Sequence, residues 1–151
     1  MTRPRQRPSS AAADDGSILP LISFFGALAL LVTLLVASAT SLYLERKRLF
    51  TLADGAALVG AESFELDEVV LTPDGPRAEL TAAGVRDAVG AYLTSNPIGR
   101  FEGLALEDAT TRDGRSAEVT VSAIWRPPVV TLFVPEGMRI EATAVSRTVF
   151  G

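Results

Sequence analysis

Between Asp15 and Glu45 the chain carries no charge: GSILPLISFFGALALLVTLLVASATSLYL, 29 residues from Gly16 to Leu44. A bilayer's hydrocarbon core is roughly 30 Å thick and needs about 20 apolar residues as helix. At about 1.5 Å rise per residue the run reaches roughly 44 Å, enough to cross and to extend into both interfaces. Acidic residues Asp14 and Asp15 bound it on one side and Glu45-Arg46-Lys47-Arg48 on the other. The rest of the 151 residues is a short tail before this segment and room for one small domain after it.

The tail, MTRPRQRPSSAAADD (residues 1–15), is rich in Arg, Pro, Ser and Ala and lacks apolar periodicity, the composition of a disordered basic tail. Arg3, Arg5 and Arg7 favour a cytoplasmic N-terminus, against which Arg46, Lys47 and Arg48 count at the other end of the run. The expected arrangement is a single pass through the inner (plasma) membrane with the C-terminal domain outside the cytoplasm. A competing reading is a secretory signal peptide cut after Ala39 at Ala37-Ser38-Ala39, leaving a secreted binding protein. Ile18 to Val36 is 19 residues, longer than a typical signal-peptide core of about 7–15, and the apolar run continues through Leu42-Tyr43-Leu44 beyond the cut.

Past the run the helical pattern persists. LYLERKRLFTLADGAALVGAESF has no proline and places Leu42, Leu49, Leu52, Ala53, Ala56, Ala57 and Gly60 at three- and four-residue steps, with Glu45 to Arg48 and Asp54 mostly elsewhere. The spacing predicts one helix from about Ser17 to about Glu62. Pro20 falls in its first turn, where a missing N–H costs nothing. Gly55 and Gly60 would weaken it by about 1 kcal/mol each relative to Ala.

The remainder predicts a helix on a sheet. Glu68 to Thr72 reads as a short strand before the turn Pro73-Asp74-Gly75-Pro76. Thr81 then caps a helix with the stripe Val85, Ala88, Val89, Tyr92 and Leu93, stopped by Ser95-Asn96-Pro97. Strands follow at Gly103 to Thr110, Ser116 to Arg126 and Met138 to Phe150, the first two joined through Asp113-Gly114. In the second, Ala117, Val119, Val121, Ala123 and Trp125 alternate with Glu118, Thr120 and Ser122; in the last, Ile140, Ala142 and Ala144 alternate with Glu141, Thr143 and Val145. Pro127-Pro128 ends the second strand, and VVTLFVPEG becomes an apolar connection, a short helix or a loop. The fold class is α+β: a long N-terminal transmembrane helix extending into a small exported domain with a helix packed on a three- or four-stranded antiparallel sheet. The expected divisions are 1–15 tail, 16–44 span, 45–63 helix continuation and 64–151 exported domain.

Composition narrows function. Residues 45–151 hold 11 basic and 16 acidic side chains, an acidic balance that argues against nucleic acid as partner. Cysteine and histidine are both absent, which removes disulfides, thiolate metal sites, the commonest base near neutral pH and every His-dependent nucleophile. A hydrolase using paired carboxylates would need two acids converging in a cleft. Asp67, Glu68 and Asp74 do not follow a calcium-loop spacing, and Glu107, Asp108 and Asp113 read as hairpin surface. Gly84, Gly90, Gly99 and Gly103 are too scattered to cradle phosphate, and Trp125 reads as a core or interface anchor. No catalytic residue, cofactor or metal is expected.

The order of these segments resembles a known family. Asp15-Gly16-Ser17, the apolar helix, Tyr43-Leu44-Glu45-Arg46-Lys47-Arg48-Leu49 and Ala53-Asp54-Gly55-Ala56-Ala57-Leu58-Val59-Gly60-Ala61 are similar to the TadE/TadG-like family over about residues 14–63. The segment VTVSAIWRPPVVTLFVPEGMRIEATAVSRTV also resembles that family's closing segment. The resemblance implies a bacterial, membrane-anchored, non-enzymatic component of tight-adherence (Flp-type) pilus assembly or an allied type II/IV secretion apparatus, a scaffold or a minor-pilin-like (pseudopilin-like) subunit. It also implies Gly16 and Ser17 as a processing site. Pilin-like relatives prefer Glu at the fifth mature position, where this chain has Leu21, a departure that favours an anchored accessory protein over a polymerising pilin. The expected partners are membrane lipid and other pilus or secretion-platform subunits, in a homo- or hetero-oligomer. The expected contact residues are Ala53, Ala56, Ala57 and Gly60, then Val129, Leu132 and Phe133, with core packing as the competing role for both groups.

Overall fold

The structure, a computed structural model, describes residues 18–64, 69–72, 75–95, 100–127, 129, 131 and 134–147. The chain forms two compact units, Met1–Ala37 and Ser38–Gly151. Helix α1 runs unbroken over Ile18–Ala61, within one residue of both expected ends. Every side chain from Ile18 to Ala37 is exposed, and α1 is the one helix among the described residues long and apolar enough to cross a membrane. An all-round apolar surface left uncovered by protein is what lipid, and not water, solvates.

The second unit is α+β. A hairpin of β1 (Val69–Thr72) and β2 (Gly75–Ala78) precedes α2 (Ala82–Ser95). A three-stranded antiparallel sheet follows, β3 (Ala105–Thr111), β4 (Ser116–Trp125) and β5 (Met138–Arg147), ordered β3-β4-β5. The start of α2 matches its expected cap: the Gly84 N–H donates to Thr81 Oγ1 at 3.2 Å and the Val85 N–H to the Thr81 carbonyl at 3.0 Å. Strand β2 was not expected, because Gly75-Pro76 reads as turn and a proline withholds a ladder donor; in this two-stranded hairpin Pro76 pairs with Leu71.

The core forms where α1 and α2 meet one face of the sheet. From α1 come Leu49, Leu52, Ala53, Ala56, Ala57 and Ala61; from α2, Val85 and Val89; from the sheet, Ala109, Ala117, Val119, Val121, Ala123, Ala142 and Ala144. The alternation expected in β5 is observed, and that in β4 holds except at Ser122, which is buried between Val121 and Ala123. Gly55 and Gly60 do not interrupt α1, and both stand at close approaches. A Cβ on Gly60 would stand 3.1 Å from Ala117 Cβ, 3.1 Å from Val85 Cγ1 and 3.2 Å from Val89 Cγ2, and one on Gly55 would strike the Tyr92 hydroxyl. The propensity cost of each glycine is set against close packing that a larger residue would crowd.

Strand β4 runs back along α1. Ala117 lies beside Gly60 at one end, and at the other the Trp125 indole Nε1–H donates to Ser41 Oγ at 3.4 Å. The nineteen residues from Ser41 to Gly60 span about 28 Å of helix, and the eight steps from Ala117 to Trp125 span about 26 Å of strand. The lengths agree, so one strand can serve as backing for the whole extramembrane helix.

A bulge at Glu107 sets the outer face of the sheet. Leu106 pairs with Val121 and Asp108 with Thr120, leaving Glu107 unpaired between them. Strict alternation would put Leu106 and Ala109 on opposite faces, whereas the extra residue sends both to the core and both acids outward.

Candidate functional site

Of the acids that could suggest chemistry, Glu107, Asp108 and Asp113 have structural partners. Glu107 Oε1 accepts from Ser122 Oγ at 2.5 Å and from an Arg139 guanidinium nitrogen at 2.6 Å, and Arg139 also reaches Ser122 Oγ at 3.1 Å. Asp108 pairs at 3.7 Å with Arg86 of α2. Asp113 closes the β3–β4 turn: its Oδ1 accepts from the Arg115 N–H at 2.9 Å and the Ser116 N–H at 2.7 Å, and its Oδ2 from Ser116 Oγ at 3.0 Å. Those bonds favour the charged form and hold its carboxyl below the usual aspartate value, the Arg115 N–H contributing most. Gly114 takes the left-handed φ of 67° that completes the turn. Among the described residues no three acidic groups converge. Asp67, Glu68 and Asp74 lie outside the described residues.

What the fold does offer is surface on α1. Ala53, Ala56 and Ala57 are 0% exposed and Gly60 is buried, so the face expected to meet partners is filled by this chain's own sheet and α2. Gly16, Ser17, Leu132 and Phe133 lie outside the described residues, and Val129 is half-buried in the β4–β5 connection. Outside the buried stripe the helix carries Tyr43, Phe50 and Leu58, each at least half exposed. Periodicity could have located them: the residues left over when the buried stripe is removed are the outward ones.

Beside that surface α1 and β5 bound a groove of about 540 Å³, lined by Tyr43, Arg46, Lys47 and Phe50 from the helix and Glu141, Ala142 and Thr143 from the strand. Neighbouring charges are partly consumed, Arg48 pairing with Glu45 at 3.3 Å and lying 5.6 Å from the Phe101 ring centre. Arg46 and Lys47 have no ion-pair partner among the described residues. The groove thus brings the cations Arg46 and Lys47 and the acid Glu141 together with the apolar side chains of Phe50 and Ala142.

Comparison with known families bears on the same helix. Residues 16–63 match the family described as "Putative Flp pilus-assembly TadE/G-like". Those residues are similar to a TadE/G-like segment. The match takes in the apolar run, the basic cluster after Leu44 and the buried small-residue stripe, as the resemblance implied. No curated protein and no solved structure matches the chain.

Proposed function

We propose that this chain is a single-pass membrane subunit of a Flp-type pilus-assembly apparatus or an allied secretion machine, acting by protein contact and not by catalysis. The observation that carries the reading is the coincidence of the TadE/G-like match with α1, residues 16–63 against Ile18–Ala61. In this reading the N-terminal tail is cytoplasmic, the α+β unit is exported, and α1 couples them. Its buried stripe fixes the domain to the helix, and the outward residues Phe50 and Leu58 meet a neighbouring subunit. Leu21 in place of the pilin glutamate supports an anchored scaffold over a filament-forming pilin, since no unpaired carboxylate in lipid requires a neighbour's amine.

The test is assembly in the native cell. Deleting the gene should abolish or sharply reduce surface pili, and the wild-type chain should restore them. A photo-crosslinking residue at Phe50 or Leu58 should capture a pilus or platform subunit, while one at Thr94, exposed on α2, should not. Normal piliation in the deletion strain would reject the reading.

A further inference from the structure

The two edges of the sheet are built differently. Strand β3 is broken by the bulge at Glu107 and has α2 packed beside it, features that discourage further pairing. Strand β5 is unbroken. Its ten residues, Met138–Arg147, contain no proline or glycine and pair with β4 in one regular register, from Trp125 with Met138 to Ser116 with Arg147. Among the described residues no strand pairs on its other side. In an antiparallel ladder alternate residues turn both N–H and C=O away from the partner strand. About half of β5 therefore presents open donors and acceptors along that edge.

The open edge borders the groove between β5 and α1, and all of it lies within the unit Ser38–Gly151. A strand laid along the edge sends alternate side chains to the two faces of the sheet. On the helix side they meet Tyr43 and Phe50, both at least half exposed, and the cations Arg46 and Lys47. Neither cation has an ion-pair partner among the described residues. On the outer side they meet Glu141 and Thr143, both exposed in the β5 alternation. The Thr143 and Thr120 hydroxyls already bond at 2.9 Å, a cross-strand pair that a further threonine can continue.

We infer that the β5 edge takes an extended segment of a partner protein as a fourth strand. That segment carries an acidic residue and apolar residues on the side facing α1, and uncharged polar residues on the other. The inference deepens the reading of this chain as a subunit that acts by protein contact, and rests on it. Main-chain bonds to the edge hold such a segment, and side chains select it. Charge singles out the occupant. Two unpartnered cations on the helix side favour a carboxylate there, and Glu141 disfavours one on the outer side. A second copy of β5 continuing the sheet antiparallel would bring Ile140, Ala142 and Ala144 to the helix side, and no acid.

The probe is the peptide acetyl-Thr-Val-Thr-Glu-Thr-Val-Thr-amide, whose palindromic order puts valine and glutamate on one face in either strand direction. Added at millimolar concentration to the nitrogen-15-labelled full-length chain in detergent, it should shift alternate amides of β5 and slow their exchange, leaving β3 unchanged. Replacing its glutamate with lysine should weaken binding several-fold. The double substitution Arg46→Glu, Lys47→Glu should reverse that preference, an outcome misfolding does not produce. N-methylation of the threonines in one peptide, and of the valines and glutamate in another, should abolish binding in one and spare it in the other. No response of the β5 amides, or equal binding by both methylated peptides, would overturn strand addition. Equal binding of the glutamate and lysine peptides would overturn the acidic occupant. Slowed exchange in β5 that grows with protein concentration and needs no peptide would assign the edge to a second copy and overturn the partner. Failure here leaves cross-linking at Phe50 and Leu58 untouched, whereas normal piliation on deletion would remove the functional reading itself.

Discussion

Replacing Gly60 with alanine separates helix propensity from packing. On propensity alone Gly→Ala in a helix stabilises by up to about 1 kcal/mol. At Gly60 the new methyl would stand 3.1–3.2 Å from Ala117, Val85 and Val89, contacts that require the neighbours to retreat. Ala117 Cβ is fixed to the central strand, and both valines are buried and β-branched, so none moves freely. Overpacking of this kind costs about 1–3 kcal/mol. The net for Gly60→Ala is a loss of about 0–2 kcal/mol, taking the propensity gain against that cost. Gly90 supplies the control: it lies inside α2 with nothing within 4 Å of a Cβ, so Gly90→Ala keeps the gain alone. For a unit of this size 1 kcal/mol is about 4 °C of Tm. Melting of the detergent-solubilised full chain, followed by the single tryptophan, Trp125, should rise about 4 °C for Gly90→Ala and fall by about 0–8 °C for Gly60→Ala. If Gly60→Ala melts as high as Gly90→Ala, the junction of α1, α2 and β4 is not closed as described.

Three further outcomes follow from the same contacts. Leu49→Ala removes a fully buried side chain and should cost about 2–5 kcal/mol in the same melt, whereas Leu30→Ala, in the other unit, should leave the transition unchanged. Thr81→Ala deletes the α2 cap and should cost about 1 kcal/mol; glycine there should cost less, and an unchanged Tm for alanine would show that Thr81 does not cap. Asp113 should titrate below the ordinary 3.8 by carbon-detected NMR, so its contribution to stability is complete above that pH and is lost as pH falls through the lower folded value. A titration at or above 3.8 would contradict its bonds to Arg115 and Ser116.

Much of the fold was legible because strong periodicities wrote it. The uncharged run, the stripe from Leu49 to Gly60 and the alternation in β4 each permit one structure that buries the apolar residues. The site was less legible for a definite reason. Small residues at three- and four-residue steps mark a close-packed face without saying whose surface packs on it, and here Ala117, Val85 and Val89 come from the same chain. Chain order gives no pairing between Trp125 and Ser41, 84 residues apart. The bulge at Glu107 left a trace: in Leu106-Glu107-Asp108-Ala109 two apolar residues bracket two acids, a spacing that strict alternation cannot satisfy. Gly55 and Gly60 were misleading as helix breakers, because propensity counts the glycine's cost and not the neighbour it admits.

The central claim is that α1 stays whole as an anchor joined to the folded domain. The most direct measurement is the intact mass of the protein extracted from the membranes of its native cell. A chain beginning at Met1, Thr2 or Ser17 keeps the helix of Ile18–Ala61 and is the predicted result, the Ser17 start marking prepilin-type processing as well. A mature chain beginning at Thr40, released from the membrane, would contradict the account.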